Sequence, residues 1–202
     1  MDDKVIAAMA RWPNVPDVYG WLSLTTRGQW RLHPRGTALE DPEEPGEAIT
    51  STPILQFIGR NYASDARGRW YFQNGPQRVY VRLDAAPYIV HSTRKAEDGG
   101  GLRTHNDLPA GKVSAWWLDD QGRLYAHTAH GPALVSGRDL EAVIAMLQIP
   151  GGPDILEQLG QNAAQAGELI VGSDRVPLTF CTADAIPELL GFVRCPQPDL
   201  DS

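Results

Sequence analysis

The chain is poor in cysteine and free of long apolar runs. Only Cys181 and Cys195 occur among 202 residues. They form no CxxC pair, so neither thiolate zinc binding nor thioredoxin-type chemistry is supported, and two reduced thiols in a cytosolic protein are expected. No apolar stretch approaches the roughly 18 to 20 residues of a membrane-spanning helix. The opening Met1-Asp2-Asp3-Lys4 lacks the basic and then apolar pattern of a secretory signal, so a cytoplasmic location is expected and no membrane partner. Basic residues are outnumbered, 18 Lys and Arg against 25 Asp and Glu, for a net charge of −7. Nucleic-acid binders draw affinity from basic patches that displace counterions. The nearest such patch, Arg60, Arg67, Arg69, Arg78 and Arg82 with Trp70, Tyr71 and Tyr80 between them, is interrupted by Asp65 and Asp84, so nucleic acid is not the expected partner. Catalytic signatures are missing too. There is no GxSxG elbow. Gly99-Gly100-Gly101 neither follows an apolar strand nor precedes Lys-Ser/Thr, so it is no phosphate cradle. What remains is an ordinary globular balance, 42% hydrophobic and 21% charged, which excludes a disordered chain.

The strongest positive signal is a recurring string. Leu22-Ser23-Leu24-Thr25-Thr26-Arg27-Gly28-Gln29-Trp30-Arg31-Leu32 returns as Asn61-Tyr62-Ala63-Ser64-Asp65-Ala66-Arg67-Gly68-Arg69-Trp70-Tyr71-Phe72. It returns again as Trp116-Trp117-Leu118-Asp119-Asp120-Gln121-Gly122-Arg123-Leu124-Tyr125, and more loosely as Leu169-Ile170-Val171-Gly172-Ser173-Asp174-Arg175-Val176-Pro177-Leu178. Thr or Asp accepts a local backbone N–H, Gly supplies a positive φ, and the large apolar residue restarts the inward face of the next strand: a tight β-hairpin. The irregular spacing excludes a propeller or solenoid.

Helices are few and short. Asp3 to Met9 is weakly amphipathic; Thr52-Pro53 opens a helix to about Gly59, with Thr52 as N-cap. Ser136 to Asp139 resembles a capping box that starts a helix through Leu147. Pro153 opens another, Pro187 to Leu190 adds a turn, and Phe192-Val193-Arg194 closes as a strand. Glu40 to Glu47 reads as a mobile acidic loop, Lys95 to Gly101 as a boundary, Pro150 to Pro153 as a break, and Pro196 to Ser202 as a frayed tail. The expected fold is α+β, mainly antiparallel hairpins with a few short helices. It divides into two lobes, a hairpin-helix-hairpin lobe over 12–95 and a hairpin and helix lobe over 102–196.

Arg11-Trp12-Pro13-Asn14-Val15-Pro16, Tyr19-Gly20-Trp21-Leu22, the segment Trp70 to Val81 and the ending Val81-Arg82-Leu83-Asp84-Ala85-Ala86-Pro87-Tyr88 carry a resemblance. The chain resembles a proteobacterial family of uncharacterised proteins built of repeated β-hairpins, a domain of unknown function. The likeness covers residues 11 to 91 well and 113 to 196 loosely, with 150 to 168 as an insertion. It implies a cytosolic, regulatory protein and transfers no catalytic residue.

Among chemistry-bearing residues, His127 and His130 bracket two residues that read as strand, which points them to opposite faces and argues against a metal site. Cys181 reads as a small buried hydrophobe, and Asp119-Asp120 are explained by their turn. No cofactor and no metal are expected. Gln73-Asn74-Gly75-Pro76-Gln77-Arg78 is the segment that turn chemistry explains least. Gln73, Asn74, Gln77 and Arg78 lie beside Trp70, Tyr71 and Tyr80, and amides and a guanidinium next to aromatics suit a polar ligand, peptide or carboxylate. Trp12 with Asn14 is a similar pair. The expectation is a non-enzymatic binding or regulatory protein with a ligand site at Asn74, Gln77, Arg78, Gln73, Trp70 and Tyr80, for a small molecule or a protein. Two alternatives stay open. One is an enzyme without a local motif, whose first candidate residues are His105, His127, Asp107 and Asp119. The other is a homo-oligomeric scaffold that uses the exposed member of Trp116-Trp117.

Overall fold

The structure is a computed structural model that describes residues 1–93, 101–147, 166–171 and 174–199. The described residues divide into two compact units, Met1–Ala85 with Gly191–Ser202, and Ala86–Leu190. Each carries one sheet, so the fold is α+β with two lobes.

The first unit contains α1 (Asp3–Arg11), β1 (Val18–Leu24), β2 (Trp30–Leu32), β3 (Glu47–Ala48), α2 (Thr52–Arg60), β4 (Tyr62–Ser64), β5 (Trp70–Asn74) and β6 (Gln77–Leu83). Its sheet runs β3-β2-β1-β6-β5-β4, antiparallel except for the central β1/β6 pair, which is parallel. The second unit contains β7 (Tyr88–Ser92), β8 (Leu102–Thr104), β9 (Ala115–Asp119), β10 (Leu124–Thr128), β11 (Gly131–Val135), α3 (Leu140–Met146), β12 (Ala166–Val171), β13 (Asp174–Cys181) and α4 (Ile186–Leu190). Its sheet runs β12-β13-β9-β10-β11-β7-β8, with β11/β7 and β13/β9 parallel. Hairpin signals extend only a dozen residues, so the sequence announces the antiparallel pairs and is silent about the parallel ones, which need long crossovers.

The recurring string forms the same loop three times. Thr25, Asp65 and Asp119 each accept, on one side-chain oxygen, the backbone N–H groups of the residues two and four positions later. Each also donates its own N–H to the carbonyl four residues on, 3.0 Å away in every copy. The glycines sit at φ 76° (Gly28), 74° (Gly68) and 74° (Gly122), in the region closed to most side chains. Where the first residue is Asp, a second oxygen takes the guanidinium of the Arg four residues on, at 2.7 Å for Asp65–Arg69 and for Asp119–Arg123. In the loosest copy, Val171 pairs with Asp174 in the β12/β13 register, leaving two residues between them that lie outside the described residues.

One face of the first sheet is apolar: Leu22, Leu24, Trp70, Phe72, Val79, Val81 and Leu83 are buried. Phe57 of α2 meets Phe72 edge-on, with ring centroids 5.4 Å apart. In the second unit the core includes Ile89, Trp116, Leu124, Tyr125, Leu134, Leu169, Leu178 and Ile186.

Several local expectations are corrected. Ser51, not Thr52, is the N-cap of α2, and its side chain makes no cap bond. No capping box forms at Ser136. Gly137–Asp139 is a 3-10 turn without a side-chain cap, because the Asp139 carboxylate is taken by Ser92 Oγ (2.8 Å), by Arg138 (3.1 Å) and by His91 (3.3 Å). Phe192 to Arg194 is not a strand; Val193 makes one isolated parallel bridge to Arg69. The tail up to Asp199 is held: Arg69 donates to Gln197 O and, with Arg67, pairs with Asp199. The acidic loop is anchored at Glu44, bound by Thr37 and Arg35, and Glu47 belongs to β3. The expected helix from Pro153 and the break before it lie outside the described residues, as do residues 94–100 of the expected boundary.

Candidate functional site

The β5/β6 hairpin turns at Asn74-Gly75-Pro76-Gln77, with Gly75 at φ 58°. Cross-strand partners are Tyr71/Tyr80, Gln73/Arg78 and Asn74/Gln77. Because side chains alternate along a strand, Tyr71, Gln73, Arg78 and Tyr80 share one face, and Trp70, Asn74 and Gln77 the other. The six residues expected to form one site therefore separate. Trp70 is buried in the core, its ring 4.9 Å from that of Tyr62. Asn74 is exposed at the tip. Gln77 Nε2 donates to Pro16 O at 3.1 Å and ties the tip to the segment that follows α1. That segment, Trp12-Pro13-Asn14-Val15-Pro16-Asp17, turns at Pro13-Asn14 and has two prolines that fix their own φ, so it runs as a stiff strap from α1 into β1.

Strap and hairpin face enclose an open cavity of about 530 Å³, lined by Met9, Trp12, Pro13, Asn14, Val15, Asp17, Gln73, Pro76 and Arg78. This is within the size range of small-ligand pockets. Trp12 is half exposed, and the Arg11 guanidinium lies 4.7 Å over its ring. Gln73 is almost fully buried. Its Nε2 donates to Gly75 O at 2.9 Å, and its Oε1 has no hydrogen-bond partner. A buried acceptor left unpaired costs about 1–3 kcal/mol, so it marks a place where a donor would be welcome.

The cations of the hairpin patch differ sharply. Arg60 pairs with Asp2, Arg67 with Asp199, Arg69 with Asp65 and Asp199, and Arg82 with Asp84. Among the described residues, Arg78 has no carboxylate within ion-pair distance; its guanidinium lies 4.9 Å over the Tyr71 ring. Burial opposes its charge, but the Tyr80 hydroxyl, Tyr71 and Asp17 outweigh that effect and hold its pKa above the usual value. Tyr80 does not line the cavity. It stacks on Tyr19 at 4.6 Å, donates its O–H to Asp65 Oδ2 at 3.1 Å, and lies 4.8 Å under Arg69. Burial, with the Asp65 carboxylate, pushes its phenol up to about 12. Burial alone would raise the Asp65 carboxyl; the bonds from Arg69, the Arg67 amide and Tyr80 hold it below the ordinary range. Trp70 and Tyr80 are thus framework, while Gln73 and Arg78 are the two of the six that line the cavity, with Trp12 and Asn14 of the second pair. The sequence pattern does not single out Met9 or Asp17. Alternation would have separated Gln73 from Asn74, but nothing local says that the end of α1 packs against this hairpin.

Residues 1–197 match the family DUF2944, whose description reads "Protein of unknown function (DUF2946)". The chain belongs to this family. Among solved structures it is similar to a DUF1285 family protein from Silicibacter pomeroyi DSS-3, with TM-score 0.52 and 15% identity, covering 86% of each chain. It is also similar to a DUF1285 family protein from Shewanella baltica OS155, with TM-score 0.46 and 11% identity, covering 62% of this chain and 91% of that one. At such identity the first likeness speaks to the fold alone. A comparison with curated proteins finds no match.

His105, His127, Asp107 and Asp119 do not assemble with one another. Asp119 is fully buried against Arg123. His105 Nδ1 accepts the Ile89 N–H at 3.3 Å, and burial pushes its imidazole down to about 3. Asp107 pairs with Arg103, and His127 is exposed on β10. No described group of three or more His, Cys, Asp or Glu gathers as metal ligands. Among the described residues, no helix is long and apolar enough to cross a membrane. Trp116 is buried and Trp117 half-buried. Ser23, His33 and Glu44 superficially resemble a hydrolase triad, with Ser23 Oγ 2.9 Å from His33 Nε2 and Glu44 Oε2 3.8 Å from His33 Nδ1. Ser23 and His33 are both 0% exposed. A nucleophile must reach its substrate, so this cluster is a structural knot under the acidic loop.

Proposed function

We propose that this is a cytoplasmic, non-enzymatic ligand-binding protein of a regulatory kind, and that its site is the cavity between the strap 12–17 and the β5/β6 hairpin. The observation that carries the reading is the Arg78 guanidinium, which lines a cavity without a carboxylate partner while four neighbouring arginines are neutralised. A half-buried guanidinium suits an anionic group, above all a carboxylate taken in a forked geometry. Trp12, Met9, Val15, Pro13 and Pro76 add an apolar wall for the rest of the ligand. The free thiols of Cys181 and Cys195 suit a reducing compartment.

The test is thermal unfolding of the wild type and Arg78→Ala against a panel of small carboxylates, phosphates and nucleotides. A ligand at a hundred times its Kd adds about 2.7 kcal/mol, a rise of roughly 5–10 °C for a chain of this size. The expected result is a rise with carboxylates that Arg78→Ala abolishes while its own ligand-free Tm stays within about 3 °C. A rise that survives in Arg78→Ala would place binding elsewhere.

A further inference from the structure

The cavity holds two opposite charges that do not neutralise each other. Arg78 and Asp17 both line it, yet they lie beyond the 4.0 Å of an ion pair, although Asp17 acts on Arg78 electrostatically. Asp17 has no ion-pair partner among the described residues, and it is exposed. In a pocket shaped only for an anion, a carboxylate in the lining would work against binding, because like charges repel at close range. The pair makes chemical sense for a ligand that carries both signs, its carboxylate on Arg78 and its ammonium toward Asp17.

The uncharged lining narrows the class. Gln73 lines the cavity and carries an amide oxygen with no hydrogen-bond partner, buried against solvent. Its natural complement is a neutral N–H lying between the two charged ends. Asn14 can both donate and accept beside it. Trp12, Met9, Pro13, Val15 and Pro76 form the apolar part, and a volume of about 530 Å³ exceeds the need of a single amino acid. We propose that the cavity takes a short peptide with both termini free and an apolar side chain. This rests on the binding role above and names its ligand class.

Calorimetric titration tests it with four probes: alanyl-phenylalanine, its N-acetyl form, its C-terminal amide, and 3-phenylpropionate. The proteins are the wild type, Asp17→Asn and Arg78→Gln, each confirmed folded by its melting curve. The free dipeptide should bind wild type most tightly, and removing either terminal charge should weaken it at least tenfold. Asp17→Asn should cost the free dipeptide about as much as acetylation does, and should leave the acetylated form unchanged; Arg78→Gln should behave likewise toward the amide. If the acetylated dipeptide or 3-phenylpropionate binds as tightly as the free dipeptide, the peptide assignment is overturned and the carboxylate-binding role stands. If none of the four binds, both are overturned.

Discussion

The two units are built to one plan and finished differently. Without its outermost strands, the first sheet reads β2-β1-β6-β5-β4 and the second β8-β7-β11-β10-β9: a hairpin, a central parallel pair and a three-stranded meander in each. The first turn of each meander is the same Asp-x-x-Gly-Arg loop, at Asp65 to Arg69 and at Asp119 to Arg123. The second turn differs. Where the first unit opposes Gln73 to Arg78, the second opposes His127 to Pro132. The strap from α1 lies beside the first of these and supplies Trp12, Asn14 and Asp17. The shared part is what closes a sheet; the divergent part lines a cavity. A functional site is thus best sought where two copies of one framework disagree.

The sharpest way to break the equivalence is at its two glycines. Both Gly68 and Gly122 sit at φ 74°. A Cβ on Gly68 would lie 2.3 Å from Gly191 O, whereas one on Gly122 would meet nothing within 4 Å. Gly68→Ala combines left-handed strain with a backbone clash and should cost about 3–5 kcal/mol. Gly122→Ala carries the strain alone, about 1–2 kcal/mol. Denaturant melts that show equal losses would mean the C-terminal segment does not bind Gly68 as described.

The loop anchors come next. Asp65→Ala and Asp119→Ala each remove charge-assisted bonds to two amides and a guanidinium, and should cost about 2–3 kcal/mol. Thr25→Ala removes the same backbone bonds without the charge, and should cost about 0.5–1 kcal/mol. A Thr25 loss as large as the others would show that the ion pair adds nothing.

The smallest effect is a difference in acid response. His105 of the second unit has a folded pKa of about 3, below the about 6.5 of an unfolded imidazole. The unfolded chain therefore binds the extra proton between those values, and stability falls as pH drops through that window. His33 of the first unit is also lowered, by burial and by Arg82, and works in the same direction. His105→Gln should flatten the decline of Tm between about pH 6.5 and 4; an unchanged slope would remove His105 as its source.

The hairpins were legible because their chemistry is local: Asp65, Gly68 and Arg69 specify their loop within five residues. The parallel pairs were not, since nothing in Val18–Leu24 names Val79 or Val81 as its neighbour. The candidate site was half legible. Gln73 and Arg78 stood out as polar groups no turn required, and Trp12 with Asn14 as an odd pair. Sequence proximity bundled them with Trp70, Asn74, Gln77 and Tyr80, which alternation and core packing send elsewhere. Met9 and Asp17 joined through tertiary contact alone.

Backbone amide NMR of the labelled protein during titration with alanyl-phenylalanine tests the inequality of the two units most directly. Shifts should concentrate at residues 9–17 and 71–80 and leave 124–135 unmoved. Comparable shifts at the β10/β11 turn, or none at the strap, would contradict it.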